Sequence, residues 1–112
     1  MSDMTFDEYQ KQSKGTAQFS DFVPGWVYLT LGLAGESGEV VDKIKKIVRN
    51  DNGVFSDDAK LEIKKELGDV LWYISQLCEE LGLSMGEVAE LNRAKLEDRK
   101  ARDVIKSRGD NR

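Results

Sequence analysis

The stretch Leu31–Ile47, LGLAGESGEVVDKIKKI, sets two acids beside an apolar helical stripe. Leu29, Leu33, Val40, Ile44 and Ile47 recur at helical spacing and define one face to be buried. Glu36 sits at the edge of that face, with Glu39 one turn on. Carboxylates are costly there unless something compensates them. The chain then repeats the arrangement: Ile63, Val70, Ile74, Leu77 and Leu81 form a second stripe, and Glu66 and Asp69 lie at its edge. At about 100° per residue both acid pairs fall on the same flank of their stripes. Two helices packed through these stripes would bring four carboxylates together.

The rest of the chain fits a helical protein. Its 112 residues make one domain, spanning 1–112, with a modest core. Leu, Glu, Lys and Ala are abundant, β-branched alternation is absent and Pro24 is the only proline, so the expected class is all-α. The formal charge is −4, and the chain as a whole lacks the basic footprint of a protein that binds nucleic acid polymers. Positive charge instead crowds the end of the chain, at Lys95, Arg99, Lys100, Arg102, Lys106, Arg108 and Arg112. A basic tail beside an acidic core suits a small, highly charged ligand.

Cys78 is the single cysteine, which excludes an intrachain disulfide and a cysteine-built zinc site, and its place beside Leu77 points to packing. Histidine is absent, so acid–base work falls to carboxylates, lysines and any bound metal. Nothing near Met1 resembles a signal peptide, because Asp3, Asp7 and Glu8 interrupt the start. The uncharged run from Phe22 to Gly35 is too short and too glycine-rich to span a bilayer. No membrane association and a cytoplasmic location are expected.

Thr5 with Glu8 forms a capping box, predicting a first helix from about Phe6 to Ser13 that Gly15 ends. A polar link to Asp21 leads to Pro24, which suits the first turn of a second helix running to about Arg49. Asn50-Asp51-Asn52-Gly53 is a turn, and Ser56 before Asp57 and Asp58 starts a third helix that Gly82 closes after Leu81. Ser84 with Glu87 forms another capping box for a fourth helix from Met85 to about Arg102. The basic tail from about Val104 has no periodicity and is expected to be flexible.

With 21 acids in the chain, acid-x-x-acid pairs arise from composition alone, so counting them decides nothing. Glu39 with Asp42 extends towards solvent, and capping explains Glu87 with Glu90. Glu36/Glu39 and Glu66/Asp69 differ because both flank apolar stripes with the same offset. Four oxygen-only ligands favour Mg²⁺, with Mn²⁺ as a substitute, over zinc or copper. They also speak against a di-iron bundle, which uses Glu-x-x-His on two helices. Such Mg²⁺ sites keep positions for water and substrate phosphates, which points to phosphoryl chemistry.

Lys43 and Lys46 lie one and two turns beyond Glu39, where they reach either a phosphate or Glu39 and Asp42. Gly32, Gly35 and Gly38 each cost a helix about 1 kcal/mol relative to alanine, so close approach of a ligand, a partner helix or a neighbouring helix of the subunit is expected. Tyr73 shares the flank of Asp69, while Trp72 points elsewhere, towards a base pocket or a subunit interface. Trp26 and Tyr28 precede the acids and suit core packing better than a base platform.

GLAGESGEVVDKIKK, KKELGDVLWYI and LNRAKLEDRKAR with its closing GDNR resemble the MazG-like nucleoside triphosphate pyrophosphohydrolases, of the all-α NTP pyrophosphatase superfamily. The likeness runs from Phe6 to Arg112. It implies a four-helix-bundle-like fold, Mg²⁺ bound by Glu36, Glu39, Glu66 and Asp69, and nucleotide or phosphate contact by Asn92 and Lys95, with Arg99 the basic residue that follows. The implied reaction cleaves a (deoxy)nucleoside triphosphate to the monophosphate and pyrophosphate. Family members assemble as dimers or as tetramers of paired dimers, so a homodimer or homotetramer is expected. Lys106-Ser107-Arg108 replaces the family's glycine-rich lead into the tail. Two other functions fit the residues: a helical interaction module whose acids bridge to the basic tail, and a nucleotide-binding regulator without turnover. Metal-dependent release of pyrophosphate separates them from the enzyme.

Overall fold

A computed structural model describes residues 3–14 and 22–106. Among these the chain forms four helices, α1 (Phe6–Ser13), α2 (Gly25–Asp51), α3 (Asp57–Leu81) and α4 (Met85–Lys106), which makes the protein all-α. The stop at Gly15, the link to Asp21 and the tail from Ser107 to Arg112 lie outside the described residues.

The helix ends follow their local chemistry. Thr5 Oγ1 accepts from the Glu8 amide at 3.1 Å while Glu8 Oε1 accepts from the Thr5 amide at 2.8 Å, completing the box at α1. Pro24 is the N-cap residue of α2. That helix runs two residues past Arg49, because the chain reverses only at Asn52 (φ 54°) and Gly53 (φ 76°). Both residues take the left-handed conformation, and the Gly53 amide closes on Ile47 O at 3.1 Å. Ser56 Oγ accepts from the Ala59 amide at 3.1 Å and starts α3. Gly82 (φ 69°) ends it, with the Leu83 amide bonded to Cys78 O at 2.8 Å. α4 continues past the expected Arg102 to Lys106, so the chain is still helical where the flexible tail was expected to begin.

α2 and α3 form an antiparallel hairpin, closing from Gly25 beside Glu80, through Gly32 beside Tyr73, to Glu36 beside Glu66 and Asp69. Leu29 and Ile47 are buried in its seam, and Leu33, Val40, Ile63, Val70, Ile74 and Leu77 are half-buried. Ile44 and Leu81, expected in the stripes, lie on exposed surface at the margins. α1 packs on the C-terminal end of α3, and the core there is partly polar: Gln10, Ser13, Ser75 and Gln76 are buried with Cys78 and Met85. Ser75 Oγ donates to Trp72 O at 2.7 Å and accepts from Gln76 Nε2 at 3.1 Å, so that interior is hydrogen-bonded. Cys78 is a buried free thiol, and burial pushes its pKa up, away from reactivity.

α4 packs on α1 and α3 and, among the described residues, makes no approach to α2. The radius of gyration is 17.5 Å, against about 13 Å for a compact domain of roughly 100 residues. No described helix is long and apolar enough to cross a membrane.

Candidate metal and phosphate site

The α2–α3 seam decides where the acids go. Glu36 leaves α2 at the edge of the buried stripe, and Glu66 and Asp69 leave α3 opposite it. Carboxylate oxygens of these three residues all lie within 4.8 Å of one another. Glu36 and Glu66 are half-buried and Asp69 is exposed. The Glu36 carboxyl is pushed above the ordinary carboxylate range, first by burial and then by the charges of Asp69, Glu66 and Glu39. Glu39 is therefore within electrostatic reach of Glu36, but it is exposed and outside the three-acid set. Three residues turn a helix about 300°, which carries Glu39 some 60° farther from the seam.

Lys43 and Lys46 part company. Lys43 Nζ lies 3.5 Å from Glu66 Oε2, across the helix pair, so it offsets some of the negative charge. Lys46 Nζ lies 2.8 Å from Asp42 Oδ2 on the outer face, with Lys45 bonded to the other oxygen of Asp42 at 3.2 Å. The two lysines hold the Asp42 carboxyl below its ordinary range by hydrogen bonding.

Tyr73 sets the floor beside the acids. Its ring packs directly on the Gly32 backbone, which leaves no room for a side chain at that position. The hydroxyl hydrogen-bonds with Tyr28, and burial, Tyr28 and the nearby charges of Glu36 and Asp69 push its pKa up. Trp72 stands edge-on to the Tyr73 ring at 5.0 Å and 90°. Gly32 is thus explained by packing inside the subunit. Gly35 and Gly38 have open space around them, so nothing among the described residues accounts for those two. Trp26 is half exposed, on the outside of α2 rather than in the core.

Asn92, Lys95 and Arg99 all lie on α4, the first two exposed and Arg99 half-buried. Because α4 stays off α2, the subunit by itself does not bring the α4 group against Glu36. Sequence reasoning passed over Asp7 and Gln10, which bind the start of α4. Their signal was the spacing Phe6, Tyr9, Gln10, Ser13, a helical face on which two of the four residues are polar and nonetheless buried. A cleft of about 370 Å³ opens at this junction, lined by Asp7, Gln10, Lys14 and Glu79 among others and by none of the four motif acids.

Three carboxylate donors converge here from two helices, an all-oxygen set of the chemistry that hard divalent cations take. Against known proteins, the family model described as the MazG nucleotide pyrophosphohydrolase domain matches residues 27–103. The Gene 37 protein of Mycobacterium phage L5 is 40% identical over 114 residues, covering 97% of this chain and 100% of the phage protein. No solved structure matches the chain.

Proposed function

This chain belongs to the MazG nucleotide pyrophosphohydrolase family, and on that premise we propose that it hydrolyses a (deoxy)nucleoside triphosphate to the monophosphate and pyrophosphate. The observation that carries the proposal is the convergence of Glu36, Glu66 and Asp69 within 4.8 Å, inside the family match. These residues would hold Mg²⁺, or Mn²⁺ in its place, with Glu39 beside them. When bound, the cation supplies charge neutralisation at the phosphates and acidifies a water. One of these carboxylates would orient or deprotonate the attacking water. Lys43 is placed to exchange Glu66 for a phosphate oxygen, since among the described residues its ammonium pairs with one carboxylate, at 3.5 Å. Lys46, held by Asp42, lies outside this role in the free protein. Asn92, Lys95 and Arg99 would hold the phosphates from α4.

The same proposal includes self-association as a homodimer or homotetramer. The subunit exposes 8560 Å², against about 6,200 Å² for a compact monomer of this mass. Leu31, Val41 and Val48 on α2 and Leu91 on α4, each more than 60% exposed, are the apolar surface a second copy would cover. That copy would also meet the open flank of Gly35 and Gly38 and bring α4 side chains to the acids.

A panel of NTPs and dNTPs assayed for pyrophosphate, with Mg²⁺ and with chelator, tests the proposal. Release that needs Mg²⁺ and at least one nucleotide of the panel supports it. Metal and nucleotide binding without release would make the chain a regulator instead.

A further inference from the structure

Helix α1 lies outside the residues matched by the family model, yet it makes the most distant hydrogen bonds among the described residues. Gln10 Nε2 donates to Glu79 Oε1 at 2.7 Å and to Leu83 O at 2.9 Å, while its Oε1 accepts from the Met85 amide at 2.7 Å. Asp7 Oδ1 accepts from Ser84 Oγ at 2.8 Å and from the Gly86 amide at 2.9 Å. Gln10 is 6% exposed. The first amides of a helix have no partner within it. At α4 those of Met85 and Gly86 are taken by α1, and that of Glu87 by Ser84 Oγ at 3.1 Å. The fit is close, since a Cβ on Gly86 would stand 3.0 Å from Asp7 Oδ2.

We propose that α1 is a latch that aims α4, with Asp7 and Gln10 as positioning residues for Asn92, Lys95 and Arg99. This rests on the phosphate-holding role proposed above for α4. Three residues, Gly82 to Ser84, join α3 to α4, and the first is a left-handed glycine, so the link alone does not fix the direction in which α4 leaves. The only other bodies that touch α4 in the subunit, among the described residues, are α1 and α3. At 1.5 Å rise per residue Lys95 lies about 15 Å beyond the hinge and Arg99 about 21 Å, so a tilt of roughly 20° moves Lys95 by about 5 Å. Displacement on that scale takes an ammonium out of reach of a phosphate. A side chain at the far end of the molecule thereby governs nucleotide affinity without touching nucleotide or metal.

The test compares Asp7→Ala, Gln10→Ala and the milder Asp7→Asn in the full chain, using the dNTP of the panel that wild type turns over fastest. Hydrogen exchange at the Met85 and Gly86 amides should quicken at least tenfold in Asp7→Ala and less in Asp7→Asn. KM should rise about tenfold with kcat within twofold, and Mn²⁺ affinity, measured with the metal alone, should stay within twofold because the α2–α3 hairpin is untouched. Asp7→Ala added to Lys95→Ala should raise KM by less than the product of the two single effects, because the part of the Asp7 effect that acts through Lys95 is already lost. Overturning the latch requires Lys95→Ala to raise KM while Asp7→Ala loosens the two amides and leaves KM unchanged. A KM unmoved by Lys95→Ala, or a panel with no turnover, brings down the α4 role itself, and the latch with it. Loss of Mn²⁺ affinity in Asp7→Ala and Asp7→Asn alike shows a general structural role for α1 and also refutes the latch.

Discussion

Three glycines of α2 share one helix and one sequence signature, but the structure gives them opposite fates on substitution. A Cβ built on Gly32 falls inside the Tyr73 ring, 2.5 Å from Cζ and 2.7 Å from Cδ1, whereas one on Gly35 or Gly38 meets nothing within 4 Å. Alanine gains about 1 kcal/mol of helix propensity over glycine at each position. At Gly32 that gain is set against overpacking of about 1–3 kcal/mol. The ring cannot slide aside freely, because its hydroxyl is bonded to Tyr28 and its edge abuts Trp72. The upper part of the overpacking range therefore applies, and Gly32→Ala should lose about 1–2 kcal/mol net. At 4–8 °C per kcal/mol for a domain of this size, its midpoint should drop by roughly 5–15 °C. Gly35→Ala and Gly38→Ala should rise by up to about 8 °C. Far-UV circular dichroism melts in chelator, at one dilute protein concentration, measure all three. Tyr73→Leu in the Gly32→Ala background should recover part of the loss, because the smaller side chain makes room. The reasoning fails if Gly32→Ala melts at or above wild type, or if all three shift the same way. Loss at Gly35 or Gly38 that deepens with protein concentration would locate a second subunit against that flank.

Two further outcomes concern the acids. Glu36 has its folded pKa raised, so its contribution to stability is fully present below the unfolded value and is lost as pH climbs through the folded one. Glu36→Gln should accordingly melt above wild type in chelator at neutral pH, with the gap closing in acid, and Mg²⁺ should raise the wild-type midpoint more than the variant's. A variant less stable than wild type in chelator at neutral pH would mean that Glu36 is held by favourable partners instead. Glu39→Gln should cut kcat/KM more than tenfold, equivalent to about 1.4 kcal/mol, yet weaken Mn²⁺ binding less than Glu36→Gln does. Isothermal titration with Mn²⁺ ranks the two, and equal losses would put Glu39 among the direct ligands.

The helix ends were legible because they are local. Thr5 with Glu8, Ser56 and Gly82 act on backbone groups a few residues away, and each does what its spacing requires. The meeting of Glu36 with Glu66 and Asp69 was legible too, since two apolar stripes joined by a short turn have one way to face each other. Glu39 lies about 60° farther round α2 from the seam than Glu36, and it is exposed and outside the three-acid set. Burial of Gln10 and Ser75 was hidden for a different reason: a polar residue enters a core through partners that hydropathy does not register. Nor does periodicity say which helix α4 lies against. Its stripe is weak, and hydrogen bonds from the far end of the chain fix its start.

The latch also orders the chain in time. The acids come from helices joined by the five residues between Asp51 and Asp57, so they can meet as soon as Asp69 has been made. Contacts so near in sequence close early and at small entropic cost. Asp7 and Gln10 reach across 69 to 79 residues; Gln10 lacks its full set of partners until Met85 exists, and Asp7 until Gly86 does. Within this chain α1 therefore has its partners only once the start of α4 is present. The acid cluster closes through contacts near in sequence and the α1–α4 junction through distant ones, so the junction is the slower of the two to close.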